Sequence, residues 1–162
     1  MILRTLFITI IFTLFANAGL IKHSLDINVT GRPIMFIFTS ATCPYCEQLK
    51  KDLDEVEFLH NVASDFDIYE IRRDKPEVYT IFGEKTPLQE LQMMFRVKVT
   101  PYVVVFNSKG AKMWQIPGYS EPYFLAKVLK FVKGVDDGKY KKEEWKKYLI
   151  ENKLIKEKLT PH

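Results

Sequence analysis

Only two cysteines and three histidines occur among the 162 residues. The histidines, His23, His60 and His162, are scattered without metal-ligand spacing, so the cysteines cannot be completed to a four-ligand zinc site. A structural bridge between Cys43 and Cys46 would close so small a loop that it would constrain little of the unfolded chain. There is no internal repeat or low-complexity tract. A strong excess of one charge is missing as well: 24 basic residues stand against 20 acidic ones, for a formal charge of +4. That balance lacks the footprint of a nucleic-acid binder, and the partners are expected to be proteins. The longest N-terminal apolar run, Leu6 to Phe15, falls short of the roughly 20 residues that span a bilayer comfortably.

What the sequence does contain is a strand-like apolar run, Ile34-Met35-Phe36-Ile37-Phe38, followed by Cys43-Pro44-Tyr45-Cys46 and a helical pattern. Two cysteines two residues apart, at a strand-to-helix junction, suit thiol–disulfide exchange. Cys43 is placed at or just before the first helical turn, where unpaired N–H groups and the positive end of the dipole favour thiolate over thiol. It is therefore expected to attack. Cys46, one turn further in and beneath it, is expected to resolve the mixed disulfide. Pro44 suits the first helical position because it has no N–H to leave unpaired. The dithiol is expected to work without a bound cofactor or metal.

The chain before this motif opens with Arg4, the apolar run and Ala16-Asn17-Ala18, the three parts of a signal peptide. Residues 1–18 are thus expected to direct export and to be cleaved after Ala18, with an uncleaved membrane anchor as the alternative. No cysteine lies near that site, which excludes a lipoprotein anchor. The expected location is a bacterial periplasm, where disulfide chemistry is active. Residues 19–134 then form one domain.

Leu20 to Val29 reads as a helix or a short strand, and Gly31-Arg32-Pro33 as a turn. Leu49, Leu53, Val56 and Leu59 recur at helical spacing, so one helix is expected from Pro44 to about His60, which would lie on the surface beside the helix end. Asp67 to Arg72 alternates like a strand. Glu77 to Phe82 is a further short strand ended by Gly83. Thr86-Pro87-Leu88-Gln89 reads as a capping box opening a helix with Leu88, Leu91 and Phe95 on one face. A hairpin follows, from the segment Val97–Phe106, with Pro101 at the entrance of its buried strand, through a turn at Asn107–Gly110 to Ala111–Ile116. A helix from Ser120 or Glu121 buries Phe124, Leu125, Val128, Leu129 and Val132.

This order of elements resembles the thioredoxin fold, and within that superfamily the exported SoxW-type, thioredoxin-related group. The resemblance covers about residues 30–134. It rests on Phe38-Thr39-Ser40 before Cys43-Pro44-Tyr45-Cys46, on Thr100-Pro101 before an apolar strand, and on Ile116-Pro117-Gly118-Tyr119 after the hairpin. It implies an α/β fold with a central mixed sheet flanked by helices. It also implies that Pro101 is the cis-proline beside the CxxC, that the Thr100 backbone receives an extended substrate, and that Pro44 and Tyr45 help to bind it. The implied activity is that of a protein disulfide oxidoreductase reducing exported disulfide-containing proteins, with a membrane electron donor or acceptor serving the dithiol; a disulfide oxidase or isomerase of the same fold and a non-catalytic binding or assembly module are the alternatives.

Two positions depart from the thioredoxin pattern. Thr42 stands where thioredoxins carry tryptophan, and Ile37 where they carry a buried aspartate. The proton acceptor for Cys46 is thereby left unassigned, with Glu47 and Glu70 as candidates that otherwise read as solvated carboxylates. Pro-Tyr is also the glutaredoxin dipeptide, but the glutaredoxin glutathione segment is absent after the hairpin.

Residues 135–162 form an extension. Lys139 to Leu159 holds eight lysines, with Trp145, Tyr148, Leu149, Ile155 and Leu159 at helical spacing. This reads as a basic amphipathic helix, broken near Asn152-Lys153, whose apolar stripe packs on the domain. Membrane contact by that helix is the alternative reading.

Overall fold

The computed structural model describes residues 19–155. The signal peptide expected over residues 1–18 and the tail positions from 156 onward, Leu159 included, lie outside the described residues. In chain order the elements are β1 (Ile21–Lys22), β2 (Asp26–Ile27), β3 (Ile34–Thr39), α1 (Pro44–Glu55), α2 (Glu57–Ala63), β4 (Asp67–Arg72), β5 (Val78–Ile81) and β6 (Glu84–Pro87). They continue with α3 (Leu88–Met94), β7 (Tyr102–Phe106), β8 (Lys112–Pro117), α4 (Pro122–Asp136), a 3-10 turn (Lys142–Glu144) and α5 (Trp145–Glu151). The segment Leu20–Val29, open between helix and strand in sequence, holds the two short strands β1 and β2.

A five-stranded sheet runs in the order β1-β4-β3-β7-β8, and a three-stranded one in the order β2-β5-β6. β3 pairs in parallel with β4 and antiparallel with β7, which makes the main sheet mixed. Every residue of β3 is buried, as a near-continuous apolar run in a central strand requires. Its odd-numbered side chains Met35 and Ile37 join α1, α2 and α4 in one core with Leu49, Leu53, Leu59, Leu125 and Leu129. Its even-numbered side chains Ile34, Phe36 and Phe38 face α3 and the small sheet, with Tyr79, Leu91, Phe95 and Phe106. The strand period of two thus supplies both cores.

Three expectations are corrected. The helix from Pro44 does not run to His60: Val56, with φ −85° and ψ 98°, leaves the helical region and separates α1 from α2. Its side chain still packs on the core, so the apolar spacing continues across a break in the backbone. Thr86-Pro87 does not open a capping box. Both residues end β6, where Thr86 pairs with Tyr79 and Pro87 with Val78, and α3 begins at Leu88 without a side-chain cap. β-branched Thr86 is buried in that hairpin, a setting that suits its side chain. The β5–β6 turn is made by Phe82 and Gly83, with φ of 52° and 90°, the left-handed pair that a tight hairpin needs. Phe82 holds this conformation while its ring meets Phe106 edge-on at 5.9 Å.

The third correction concerns the extension, in which Lys139–Lys141 is not helical and the helix proper is Trp145–Glu151. The chain turns at Gly138 and lays Tyr140, Tyr148 and Leu149 over Phe131 of α4. Trp145 meets Trp114 of β8 at 5.5 Å and stays partly exposed. No helix among the described residues is long and apolar enough to cross a membrane.

Candidate redox site

Strand register brings the site together. β3 ends at Thr39, β7 starts at Tyr102 opposite Phe38, and β8 ends at Pro117 opposite Tyr102. The loops carrying Cys43, Pro101 and Gly118 therefore emerge at one end of the sheet. Two hydrogen bonds fasten the loops: Gly118 N–H donates to the Pro101 carbonyl at 2.9 Å, and the Ser40 and Thr100 hydroxyls meet at 3.1 Å. The Thr100–Pro101 peptide bond is cis.

Cys43 is the N-cap of α1 and Pro44 occupies its first turn. The two sulfurs are joined, with Cα atoms 5.2 Å apart. Cys46 N–H points at the Cys43 Sγ at 3.2 Å, while the Cys43 carbonyl accepts from Cys46 N and Glu47 N. Cys43 is 8% exposed and Cys46 fully buried, so an incoming reagent has access to the first sulfur and not to the second. When the pair is reduced, the same N–H and the helix end stabilise a thiolate at Cys43. Tyr45 stands out at 63% exposure, Thr100 is half-buried and Pro101 is buried. All six residues singled out in the sequence therefore lie on the CxxC segment or the Thr100–Pro101 loop at this end of the sheet.

Glu70 is not a solvated carboxylate. It lies on β4 on the α1 side of the sheet and is buried, accepting from Thr39 Oγ1 at 2.7 Å and Lys50 Nζ at 2.7 Å, with His23 Nδ1 at 3.0 Å. Burial pushes its pKa up, but the bonds from Lys50 and Thr39 and the charges of Lys50 and His23 outweigh that and hold it below the ordinary value. Lys50 also reaches Glu47 at 3.1 Å, so one ammonium joins both sequence candidates. A carboxylate held ionised in this way is a poor base near neutral pH, which leaves Glu70 unsuited to take the Cys46 proton.

His60 is half-buried in the last turn of α2, its Nδ1 2.9 Å from the Leu53 carbonyl. Among the described residues no group of three His, Cys, Asp or Glu side chains is arranged to hold a metal ion.

Sequence reasoning passed over Asp52, a buried carboxylate on α1. Its Oδ1 accepts from Gln48 Nε2 at 2.7 Å and its Oδ2 from the Tyr119 hydroxyl at 2.6 Å. That bond, followed by burial, raises the Tyr119 pKa to about 12, so the phenol stays a donor. The Tyr119 ring in turn lies 5.7 Å from that of Tyr45, at 30° between planes. The only sequence signal was an aspartate on the apolar side of a helix.

The sequence profile of a thioredoxin-like domain matches residues 25–133. Among solved structures, a thioredoxin-fold protein from Helicobacter pylori is similar with a TM-score of 0.72 and 23% identity, over 85% of this chain and 96% of that one. A thioredoxin-like protein from Clostridium perfringens is similar with a TM-score of 0.54 and 18% identity, over 78% of this chain and 91% of that one. At these identities the likeness is one of fold. Comparison with curated proteins found no match.

Proposed function

The chain belongs to the thioredoxin-like domain family, and on that footing we propose that it is a periplasmic thiol–disulfide oxidoreductase that reduces disulfides of exported proteins. The observation that carries the chemistry is Cys43 at the N-cap of α1, joined to a buried Cys46 and set beside the Thr100–Pro101 loop. Export and a membrane dithiol donor are supported by the N-terminal sequence pattern and by the SoxW-type resemblance of the CxxC and Thr-Pro segments.

The Cys43 thiolate attacks one sulfur of the partner disulfide, a new S–S bond forms, and the partner's other sulfur leaves as thiolate, taking up a proton from solvent. Cys46, deprotonated, then attacks Cys43 Sγ and expels the partner's first sulfur. Two electrons have passed to the partner, and the Cys43–Cys46 disulfide awaits the membrane dithiol. Pro44, Tyr45, Thr100 and Pro101 form the surface the partner meets.

Cys46→Ser should accumulate mixed disulfides with exported proteins, because the group that releases them is gone. Cys43→Ser should accumulate few, since the remaining sulfur is buried. Non-reducing gels of acid-quenched periplasmic extract compare the two. Equal trapping by both variants would contradict the assigned roles, and trapping by neither would favour a binding or assembly module with an inert bridge.

A further inference from the structure

A buried carboxylate costs stability unless its oxygens are satisfied, and Asp52 is satisfied by two neutral groups, an amide on its own helix and the Tyr119 phenol. Among the described residues, its single side-chain hydrogen bond to another part of the fold is therefore the one from Tyr119. That residue follows Gly118, whose N–H grips the Pro101 carbonyl, and its ring rests against Tyr45 between the two cysteines. The Asp52 bond thus fixes an aromatic pair that bridges the CxxC turn and the loop beside Pro101. Of the two rings, Tyr119 is half-buried and held, while Tyr45 is exposed at 63% and offers its outer surface next to the attacking sulfur.

Resting on the oxidoreductase reading, we propose that Tyr45 and Tyr119, positioned by Asp52, select disulfide partners carrying an aromatic side chain beside the cysteine that Cys43 attacks. An aromatic ring there extends the tilted pair formed by Tyr119 and Tyr45, a contact a small polar neighbour cannot make. Tyr45 and Tyr119 are specificity-determining residues. Asp52 is a positioning residue, acting through the hydroxyl it holds.

The test uses two symmetrical peptide disulfides that differ only in Phe or Ser next to the cysteine. The full chain is reduced beforehand, and formation of the Cys43–Cys46 disulfide is followed by acid quench and thiol alkylation. The wild type should react about three- to tenfold faster with the Phe peptide, the worth of one aromatic pair. Tyr45→Ala and Tyr119→Ala should bring the ratio close to one. Tyr119→Phe and Asp52→Asn, which keep the rings and lose or weaken the tether, should give intermediate ratios. A merely structural role would slow both peptides alike and leave the ratio standing. Equal wild-type rates with the two peptides, or a ratio that survives Tyr119→Ala, would overturn the proposal while leaving the oxidoreductase reading intact. Inertness of the reduced wild type towards hydroxyethyl disulfide would sink that reading and this inference with it.

Discussion

Two carboxylates are buried on the α1 side of the main sheet, and their partners set them different tasks. Asp52 is held by neutral donors and orients a ring, whereas Glu70 is held by Thr39, Lys50 and His23 and ties β3, β4, α1 and the first strand's neighbour together. Glu70 has a folded pKa below its ordinary 4.5, so its contribution to stability is present above that value and is lost as pH falls through the lower folded value. Lys50→Met should therefore destabilise the protein by about 1.5–3 kcal/mol at pH 7, the range for one hydrogen bond to a charged group. The gap from wild type should narrow as pH falls from 4.5 towards the lower folded value, because protonating folded Glu70 removes the charge that Lys50 meets. Urea midpoints of both proteins at pH 7 and pH 3 measure this. A gap that stays constant would assign the role of Lys50 to its aliphatic stem.

Among the elements, those with their own unbroken period were legible in sequence: β3, β7 and β8, and α4 with Leu125, Val128, Leu129 and Val132 inward. The start of α1 was legible because Cys43-Pro44 is both cap and first turn. The break at Val56 was not, since no Gly or Pro marks it and the apolar stripe continues through it. Nor was β6, because Thr-Pro serves a helix start as readily as a strand end, and only the pairing with β5 decides. Asp52 and Tyr119 were not recognisable as a pair, being 67 residues apart. The end of α4 shows how the extension is attached. Gly134 is buried, its carbonyl accepts from Lys139 N and Tyr140 N, and a side chain at 134 would run into the Tyr140 ring. Alanine favours a helix interior over glycine by about 1 kcal/mol, yet Gly134→Ala should destabilise, because Tyr140 must leave its stack on Phe131. In a Tyr140→Ala background the same change should become stabilising by about 1 kcal/mol. Thermal melts of the four proteins of this cycle give the sign in each background, and one sign in both would show that Tyr140 does not hold the extension through Gly134.

For the molecule as a whole, the direction of electron flow rests on how strongly its surroundings favour a Cys43 thiolate. CxxC proteins span potentials from roughly −270 mV to −120 mV, and the most oxidising ones owe their potential to a strongly stabilised reduced form. The start of α1 gives Cys43 a helix end and the Cys46 N–H, stabilisation that both extremes share. Lys50, the one lysine on α1 that is partly buried, is spent on Glu70 and Glu47 instead of on sulfur. Tyr119, whose ring lies beside that of Tyr45 in the motif, keeps its proton and adds no charge. With the helix end supporting the thiolate and Lys50 engaged by Glu70 and Glu47, the pair should lie near the reducing end. A glutathione redox titration of the chain from Gly19 onward, read by thiol alkylation, should give a midpoint closer to −270 mV than to −120 mV on that scale, at roughly the thioredoxin value. Lys50→Met should move that midpoint little, because its Nζ bonds Glu70 and Glu47, and the Glu70 carboxyl left behind lies on β4 and not on the CxxC turn. A midpoint near the oxidising end would reverse the proposed direction and make the protein a donor of disulfides, and a large shift in Lys50→Met would show that the Glu70 network reaches the sulfur after all.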